Sequence, residues 1–321
     1  MSCLVPLAIV GWIAAAVLAT SGAAWADFSP LFNGVNLDGW HQVGGDATYH
    51  ADDGEIVGLS APNSPNTFLV TDLEYADFVL EADFRIFDTS FNSGIQIRSH
   101  SLPTHNNGQL FGYQVEIDPS SRAWSGGIYF EGGSPDRPAG WLDDLSDNPV
   151  AQSAFVLGEW NHFRIVALGR RITTWINDVL AADYVDDDGQ AFLPTGVIGL
   201  QVHSNSSQTP LEVRWRNLLI DQYVPGDFDR DGALSLEDYL VLSANLHTDV
   251  SDQGPVDAYL HGDMNGDRQV NFYDLVAFRA AYPSSTTESA IQSAPEPSTG
   301  VLIMMLGGVI AISARRRLRS R

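Results

Sequence analysis

Seven stretches of the chain alternate apolar and polar residues with period two: 78–86, 94–99, 113–118, 162–167, 171–175, 197–203 and 212–220. Gly, Asn, Asp or Pro punctuates the intervals between them. Successive residues of a strand point to opposite faces, so the pattern predicts half-buried antiparallel strands. No long stretch of 27–222 shows a helical period, and the region is long enough to bury one substantial core. An all-β sandwich is the fold expected there. The period changes after Val224. Leu236, Leu240, Leu242 and Leu246, then Phe272, Leu275, Val276 and Phe278, predict two short helices.

Alternation also sorts side chains by face. Ile95 and Ile97 share one face of their strand, with Gln96, Arg98 and His100 on the other. Tyr113, Val115 and Ile117 oppose Gln114, Glu116 and Asp118, and Ile198, Leu200 and Val202 oppose Gln201 and His203. Three strands thus each offer a core face and a face of hydrogen-bonding or ionisable groups. That second face is either an ordinary solvated sheet surface or a concave substrate-binding surface. Glu116 and Asp118 on a common face also resemble the paired carboxylates of glycosidases.

The two ends carry export signals. Residues 1–26 are uncharged, run apolar from Leu4 to Ala19 and reach Ala24-Trp25-Ala26, which reads as a secretory signal peptide. Cys3, the single cysteine, leaves with it, so the mature chain has neither a disulfide nor a thiol nucleophile. Residues 284–294 read as a Ser/Thr-rich linker. Residues 295–321 comprise Pro295-Glu296-Pro297, an apolar run from Val301 to Ala314, and arginines at 315, 316, 317, 319 and 321. This resembles the PEP-CTERM sorting signal, which implies a transmembrane segment with cytoplasmic arginines and cleavage by an exosortase-type partner. The expected location is the periplasm, the cell surface or, after processing, the medium.

The net charge is −23, and removing the five tail arginines takes it to about −28. So acidic a chain repels nucleic acid and anionic lipid, which leaves the C-terminal segment as its membrane contact. All 17 basic residues are arginine, so Schiff-base and P-loop chemistry are excluded. A neutral substrate, or one held through arginine, is expected.

Two loops about 36 residues apart share the spacing of calcium ligands. Side-chain oxygens stand at positions 1, 3, 5 and 12: Asp227, Asp229, Asp231 and Asp238, then Asp263, Asn265, Asp267 and Asp274. Apolar Leu234 and Val270 at position 8 suggest a short bridge between the loops. The repeat resembles the type I dockerin domain over residues 223–283, a small α-helical module with two EF-hand-like Ca²⁺ loops. The resemblance implies that the carbonyls of Ala233 and Gln269 fill position 7 and that Ser235 and Asn271 serve position 9. Arg268 replaces glycine at position 6, where a positive φ costs a non-Gly residue about 1–2 kcal/mol, so weaker binding is expected in the second loop. A cohesin-like protein is the partner a dockerin implies. Positions 10 and 11, however, are Leu236-Glu237 and Phe272-Tyr273, where many dockerins carry a Ser-Thr-like pair.

Segments of the β region appear in a familiar order: 28–40, 75–85, Asn92-Ser-Gly-Ile-Gln-Ile-Arg98, Tyr113-Gln-Val-Glu-Ile-Asp118, 158–162, 171–177 and 196–203. Together they resemble the 3-keto-disaccharide hydrolase family, which implies a mainly β, concanavalin-like jelly-roll sandwich. The family's activity implies cleavage of glycosides oxidised at C3. A C3 ketone acidifies the C2 proton; a base removes it, the C1 oxygen is expelled, and water adds back. Such a site needs a base, donors to the developing enolate, and an acid. Glu116 and His203 are the candidates for base and acid in either order, and Arg98 for the enolate clamp. Gln96, Gln114, Asp118, Gln201 and Tyr129 are candidates for holding sugar hydroxyls, and Trp124 and Trp141 for stacking on a sugar ring. A catalytic metal is left open, and a lectin-like, non-catalytic carbohydrate-binding module is the alternative.

Overall fold

The computed structural model describes residues 28–282. The expected signal peptide, linker and sorting segment lie outside the described residues. Fifteen strands form the β region: β1 (Ser29–Pro30), β2 (Trp40–Gly44), β3 (Thr48–Asp52), β4 (Glu55–Leu59), β5 (Thr67–Thr71), β6 (Asp77–Ile86), β7 (Ser93–Ser101), β8 (Leu110–Ile117), β9 (Ile128–Glu131), β10 (Gly140–Asp143), β11 (Asn161–Leu168), β12 (Arg171–Ile176), β13 (Val179–Val185), β14 (Val197–Val202) and β15 (Glu212–Tyr223). They pair antiparallel into two sheets. The first runs β13-β12-β11-β6-β15-β4-β3, with β1 added to β15, and the second runs β10-β9-β8-β7-β14-β5-β2.

The core lies between the sheets, where alternation directs one face of each. Phe78, Leu80, Ala82, Phe84 and Ile86 of β6 meet Ile95 and Ile97 of β7, Tyr113, Val115 and Ile117 of β8, and Ile198, Leu200 and Val202 of β14. Burying such side chains contributes roughly 1.5–3 kcal/mol each. A short helix, α1 (Pro149–Gln152), capped by Asn148, rests beside the sandwich.

The C-terminal unit contains α2 (Leu236–Asn245), α3 (Pro255–Leu260) and α4 (Phe272–Ala281), with a two-residue ladder of β16 (Thr248–Asp249) and β17 (Gln269–Val270). Ser235 and Asn271 cap α2 and α4, and Asp238 and Asp274 complete both capping boxes. Val270 pairs with Thr248, so the bridge expected between Val270 and Leu234 is replaced by one to the segment that follows α2. Leu234 packs instead beside the unit's core of Phe228, Leu242, Val250 and Phe278.

This unit is seated on the outer face of the first sheet. Val79, Val166 and Leu168 point outward yet are apolar, and Tyr259 of α3 covers them with Val256 and Leu260. The Tyr259 hydroxyl donates to Asp77 Oδ2 (2.8 Å) and accepts from the Gly226 amide (3.3 Å). Arg171 donates to the Gly266 carbonyl (2.5 Å), and Arg268 pairs with Asp183 (3.1 Å). Close fit is enforced at Gly169, where a Cβ would lie 1.8 Å from the Met264 carbonyl oxygen. Tyr259→Phe keeps the ring and strands two buried polar groups, with an expected cost of about 1–3 kcal/mol. All tryptophans of the described residues lie in the sandwich, so urea unfolding followed by tryptophan fluorescence should show the loss. An unchanged midpoint would mean that the unit does not support the sandwich.

Candidate functional site

The outer face of the second sheet carries the candidate chemistry, and strand register arranges it. Gly94 of β7 lies opposite Glu116 of β8, and Gln96 opposite Gln114. Gly94 has no side chain, so Gln114 lies across it; a Cβ at Gly94 would come within 2.5 Å of the Gln114 side chain. From there Gln114 Nε2 donates to Glu116 Oε2 (2.6 Å), while its Oε1 accepts from Gln96 (2.6 Å). Asn92 donates to the other Glu116 oxygen (2.9 Å). Glu116 is therefore only 3% exposed, yet both its oxygens are served.

The sheet curls over this face. Asn66, just before β5, donates to Glu131 at the end of β9 (2.9 Å), although three strands separate β5 from β9 in the sheet. Asn66 also accepts from the Ser204 amide (2.8 Å), fixing the end of β14. The result is a cleft of about 380 Å³ lined by Asn66, Asn92, Gln114, Glu116, Arg122, Tyr129, Glu131, Trp141 and His203. Its cation is Arg122. The guanidinium sits 4.8 Å from the Trp124 ring centre and 5.0 Å from that of Trp141, and donates to Asp118 (2.7 Å).

Burial sets the electrostatics. It pushes the Glu116 carboxyl up to about 7; the Gln114 bond and Arg122 oppose the shift, while Asp118 and Glu131 add to it. Glu131 is also raised by burial, against the pull of Asn66 and His203. Burial raises the Tyr129 hydroxyl, helped by Glu131 and Glu116. Asp118 behaves oppositely: burial works to raise it, but bonds from Ser120 and Arg122 outweigh that and hold it below its ordinary value. His203 Nδ1 lies 2.8 Å from the Ser204 carbonyl oxygen. A carbonyl only accepts, so Nδ1 carries a proton and Nε2 is left for a ligand.

Of the expected site residues, Glu116, His203, Gln114 and Tyr129 meet in this cleft. Asp118 lines the adjoining space and holds Arg122. Gln96 is fully buried, bonded to Gln114 and Ser99, and supports the site without lining it. Gln201 is buried with neither side-chain polar atom partnered. Trp124 packs edge-on against Trp141 (4.9 Å) and against the core, leaving Trp141 as the ring at the cleft.

Arg98 is a correction. The β7–β8 register shifts between Ile97 and His100, and Arg98 itself has φ of +47°, so a bulge turns its side chain off the face of Gln96. It is fully buried, donating to the carbonyls of Ala76, Ala167 and Gly169 and pairing with Asp77 (2.8 Å), away from the cleft. Arg122, Glu131 and Asn66 were not foreseen. Arg122 stands four residues after Asp118 in a polar loop; for Asn66 and Glu131 no local pattern existed.

In the C-terminal unit, Asp227, Asp229 and Asp231 each bring a carboxylate oxygen within 4.8 Å of the others. Asp227 accepts from the Gly232 amide and Asp263 from the Arg268 amide, both at 2.9 Å, so the two loops fold alike. Gly232 has φ of +86° and Arg268 of +67°.

Glu116 has a folded pKa above its ordinary value of 4.5, so its stabilising contribution is complete below about pH 4.5 and is lost as pH rises through about 7. The loss is ~3 kcal/mol at 1.36 kcal/mol per unit. Urea unfolding at pH 4.5 and 8 should show this decline in the wild type and a decline smaller by about that amount in Glu116→Gln, where other buried carboxyls such as Glu131 still titrate.

Comparisons with known proteins follow the same lines. Residues 27–221 match the model of the 3-keto-alpha-glucoside-1,2-lyase-like domain. Residues 293–317 match the PEP-CTERM protein-sorting motif, which implies export, sorting to the cell envelope or surface, and exosortase-type processing. No curated protein sequence matches the chain. Among the described residues no helix is long and apolar enough to cross a membrane. Similar solved structures include the carbohydrate-binding module CBM66 from Bacillus subtilis, at 18% identity and TM-score 0.43, covering 57% of this chain and 96% of that one. A candidate glycosyl hydrolase from Parabacteroides distasonis has 20% identity and TM-score 0.44, covering 61% and 94%. A Bacillus subtilis protein of unknown function with a galectin-like fold has 13% identity and TM-score 0.40, covering 57% and 89%. By the family model, which spans more than half of its length, the chain belongs to the 3-keto-alpha-glucoside-1,2-lyase-like domain family.

Proposed function

We propose that the sandwich cleaves 3-keto-glycosides by elimination followed by hydration. One observation carries the proposal: a buried carboxylate with a pKa of about 7, with a side-chain donor on each oxygen, in a polar cleft that also holds one arginine. Donors on both oxygens serve the ionised form, and a pKa near neutrality makes a strong base that is still ionised at working pH. Glu116 is thus the base, which takes the C2 proton. The C2–H electron pair moves toward the C3 ketone, and Arg122 and Tyr129 face the enolate oxygen that forms. The enolate then collapses: the C3 carbonyl returns, C1=C2 forms and the C1–O bond breaks. His203, which must then carry a second proton on Nε2, delivers that proton to the departing oxygen. Water adds to C1 and gives its proton to Nε2 of His203, and Glu116, its proton exchanged with solvent, protonates C2, so the sum is hydrolysis. Asp118 and Gln114 act as positioning residues, for Arg122 and Glu116 respectively.

Incubation of the exported chain with 3-keto-trehalose in heavy water tests this. Expected are aglycone release and deuterium at C2, with kcat/KM falling tenfold per pH unit below about 7. Glu116→Gln should lose about 10²–10⁴-fold and His203→Ala about 10²-fold. Saturable binding with neither release nor deuterium uptake is the outcome of a lectin-like module and sinks the enzyme reading.

The C-terminal unit is read as a dockerin-like module that holds Ca²⁺ in both loops. The donor set is all oxygen, suiting a hard cation, and the clustered Asp227, Asp229 and Asp231 carboxylates repel one another without one. The first loop would use Asp227, Asp229, Asp231, Asp238, Ser235 and the Ala233 carbonyl. The second would use Asp263, Asn265, Asp267, Asp274, Asn271 and the Gln269 carbonyl, more weakly because of the strain at Arg268. Leu236, Phe272 and Tyr273 are exposed, a surface suited to an apolar partner patch in place of Ser/Thr-reading contacts. Chelator should lower the far-UV circular dichroism of the helices, and Ca²⁺ restore it; indifference to both rejects the sites.

A further inference from the structure

Each acidic loop of the C-terminal unit carries one arginine, and both arginines hold a positive φ, +60° at Arg230 and +67° at Arg268. That conformation disfavours any residue with a Cβ, so a side chain persists there only where its contacts outweigh the strain. Both side chains end on the sandwich. Arg230 grips Asp221 of β15 with two hydrogen bonds (2.5 and 2.9 Å) and lies over the Tyr223 ring (4.2 Å). Arg268 reaches Asp183 of β13 (3.1 Å), while its other terminal nitrogen donates to the carbonyls of Ser251 and Gln253.

The sandwich reaches back at the second loop. Arg171 of β12 is held by Asp183 (2.7 Å) and donates to the Gly266 carbonyl inside the loop (2.5 Å). The two chains touch so closely that a Cβ on Gly266 would lie 2.5 Å from that of Arg171.

We infer that the two loops are the latch of an interface within this chain. Ca²⁺ in the loops fastens the C-terminal unit to its own sandwich through Arg230–Asp221 and Arg268–Asp183, and these sandwich carboxylates in turn raise the loops' affinity for Ca²⁺. The inference rests on reading the loops as Ca²⁺ sites. A cation draws the loop oxygens together and so fixes the backbone that bears each arginine. Arg230 stands between Asp229 and Asp231, and the Arg268 amide donates to Asp263 (2.9 Å). An ordered loop holds its arginine in place, and a held arginine orders its loop. A ligand that binds only the ordered loop is therefore coupled to docking by one factor in both directions. The arginines also settle the charge at the seam. Asp183 and Asp221 would otherwise stand unpaired beside loops that are themselves acidic.

Asp183→Asn tests the latch from the sandwich side, because Asp183 touches Arg268 and belongs to neither loop. Calorimetry of the exported chain with CaCl₂ reads the loops, and urea unfolding by tryptophan fluorescence, in excess Ca²⁺ and in chelator, reads the sandwich. Ca²⁺ should raise the wild-type midpoint by about 0.5–1 M. Asp183→Asn should at least halve that rise and weaken one of the two Ca²⁺ affinities about fivefold or more. A merely structural role for Asp183 would lower the midpoints with and without Ca²⁺ equally and overturn the latch. So would Ca²⁺ that binds without moving the wild-type midpoint, an outcome that leaves the loops as Ca²⁺ sites. Absence of calorimetric binding rejects the sites themselves, and the latch with them. Arg268→Gly is the second variant: glycine suits the positive φ and keeps the loop intact, so a sandwich that still responds fully to Ca²⁺ in this variant overturns the inference, and one that responds less supports it.

Discussion

A carboxylate can be buried on the outer face of a sheet only if neighbouring side chains supply its hydrogen bonds, and the register of β7 against β8 supplies them to Glu116. Gly94 opposite Glu116 leaves the gap through which Gln114 reaches it, and Gln96 opposite Gln114 holds the far end of that amide. Asn92, the residue just before β7, takes the second oxygen. A one-residue slip would send every one of these groups to the other face. The raised pKa follows from the same arrangement, because burial outweighs the stabilising donors.

The cleft depends on curvature as well as register. The Asn66–Glu131 contact joins distant strands of the second sheet at the cleft, where Glu131, Arg122 and Trp141 stand around Glu116. Arg122 is held from two sides, by the indoles of Trp124 and Trp141 and by Asp118. The other sheet has a different use. Its outward apolar residues Val79, Val166 and Leu168 take the C-terminal unit, and Asp77 joins Tyr259 of that unit to Arg98 of the β7 bulge.

Period-two alternation was enough to find the strands and to put Gln114, Glu116 and His203 on one polar face, because strand geometry is local. It failed at Arg98, where a bulge interrupts the alternation and a positive φ no pattern foretells turns the side chain away. Asn66 and Glu131 were illegible for another reason: they meet across the three strands that lie between β5 and β9 in a curled sheet, and neither lies in a motif. Position 8 of the second loop was legible as a bridging residue, but its partner, Thr248, lies in a segment whose two-residue strand is too short to leave a period. The same oxygen-bearing residues that suggested ligands, Ser235, Asp238, Asn271 and Asp274, are also capping boxes, two uses that one spacing serves.

The chemistry proposed for the cleft requires Glu116 to be a buried base tuned to neutrality. Carbon-13 NMR titration of its side-chain carboxyl, assigned by its disappearance in Glu116→Gln, measures this directly in the folded protein. A midpoint at about 7 is predicted. A midpoint near the ordinary 4.5 would contradict the account, since the cleft would then hold a solvated carboxylate with no special basicity.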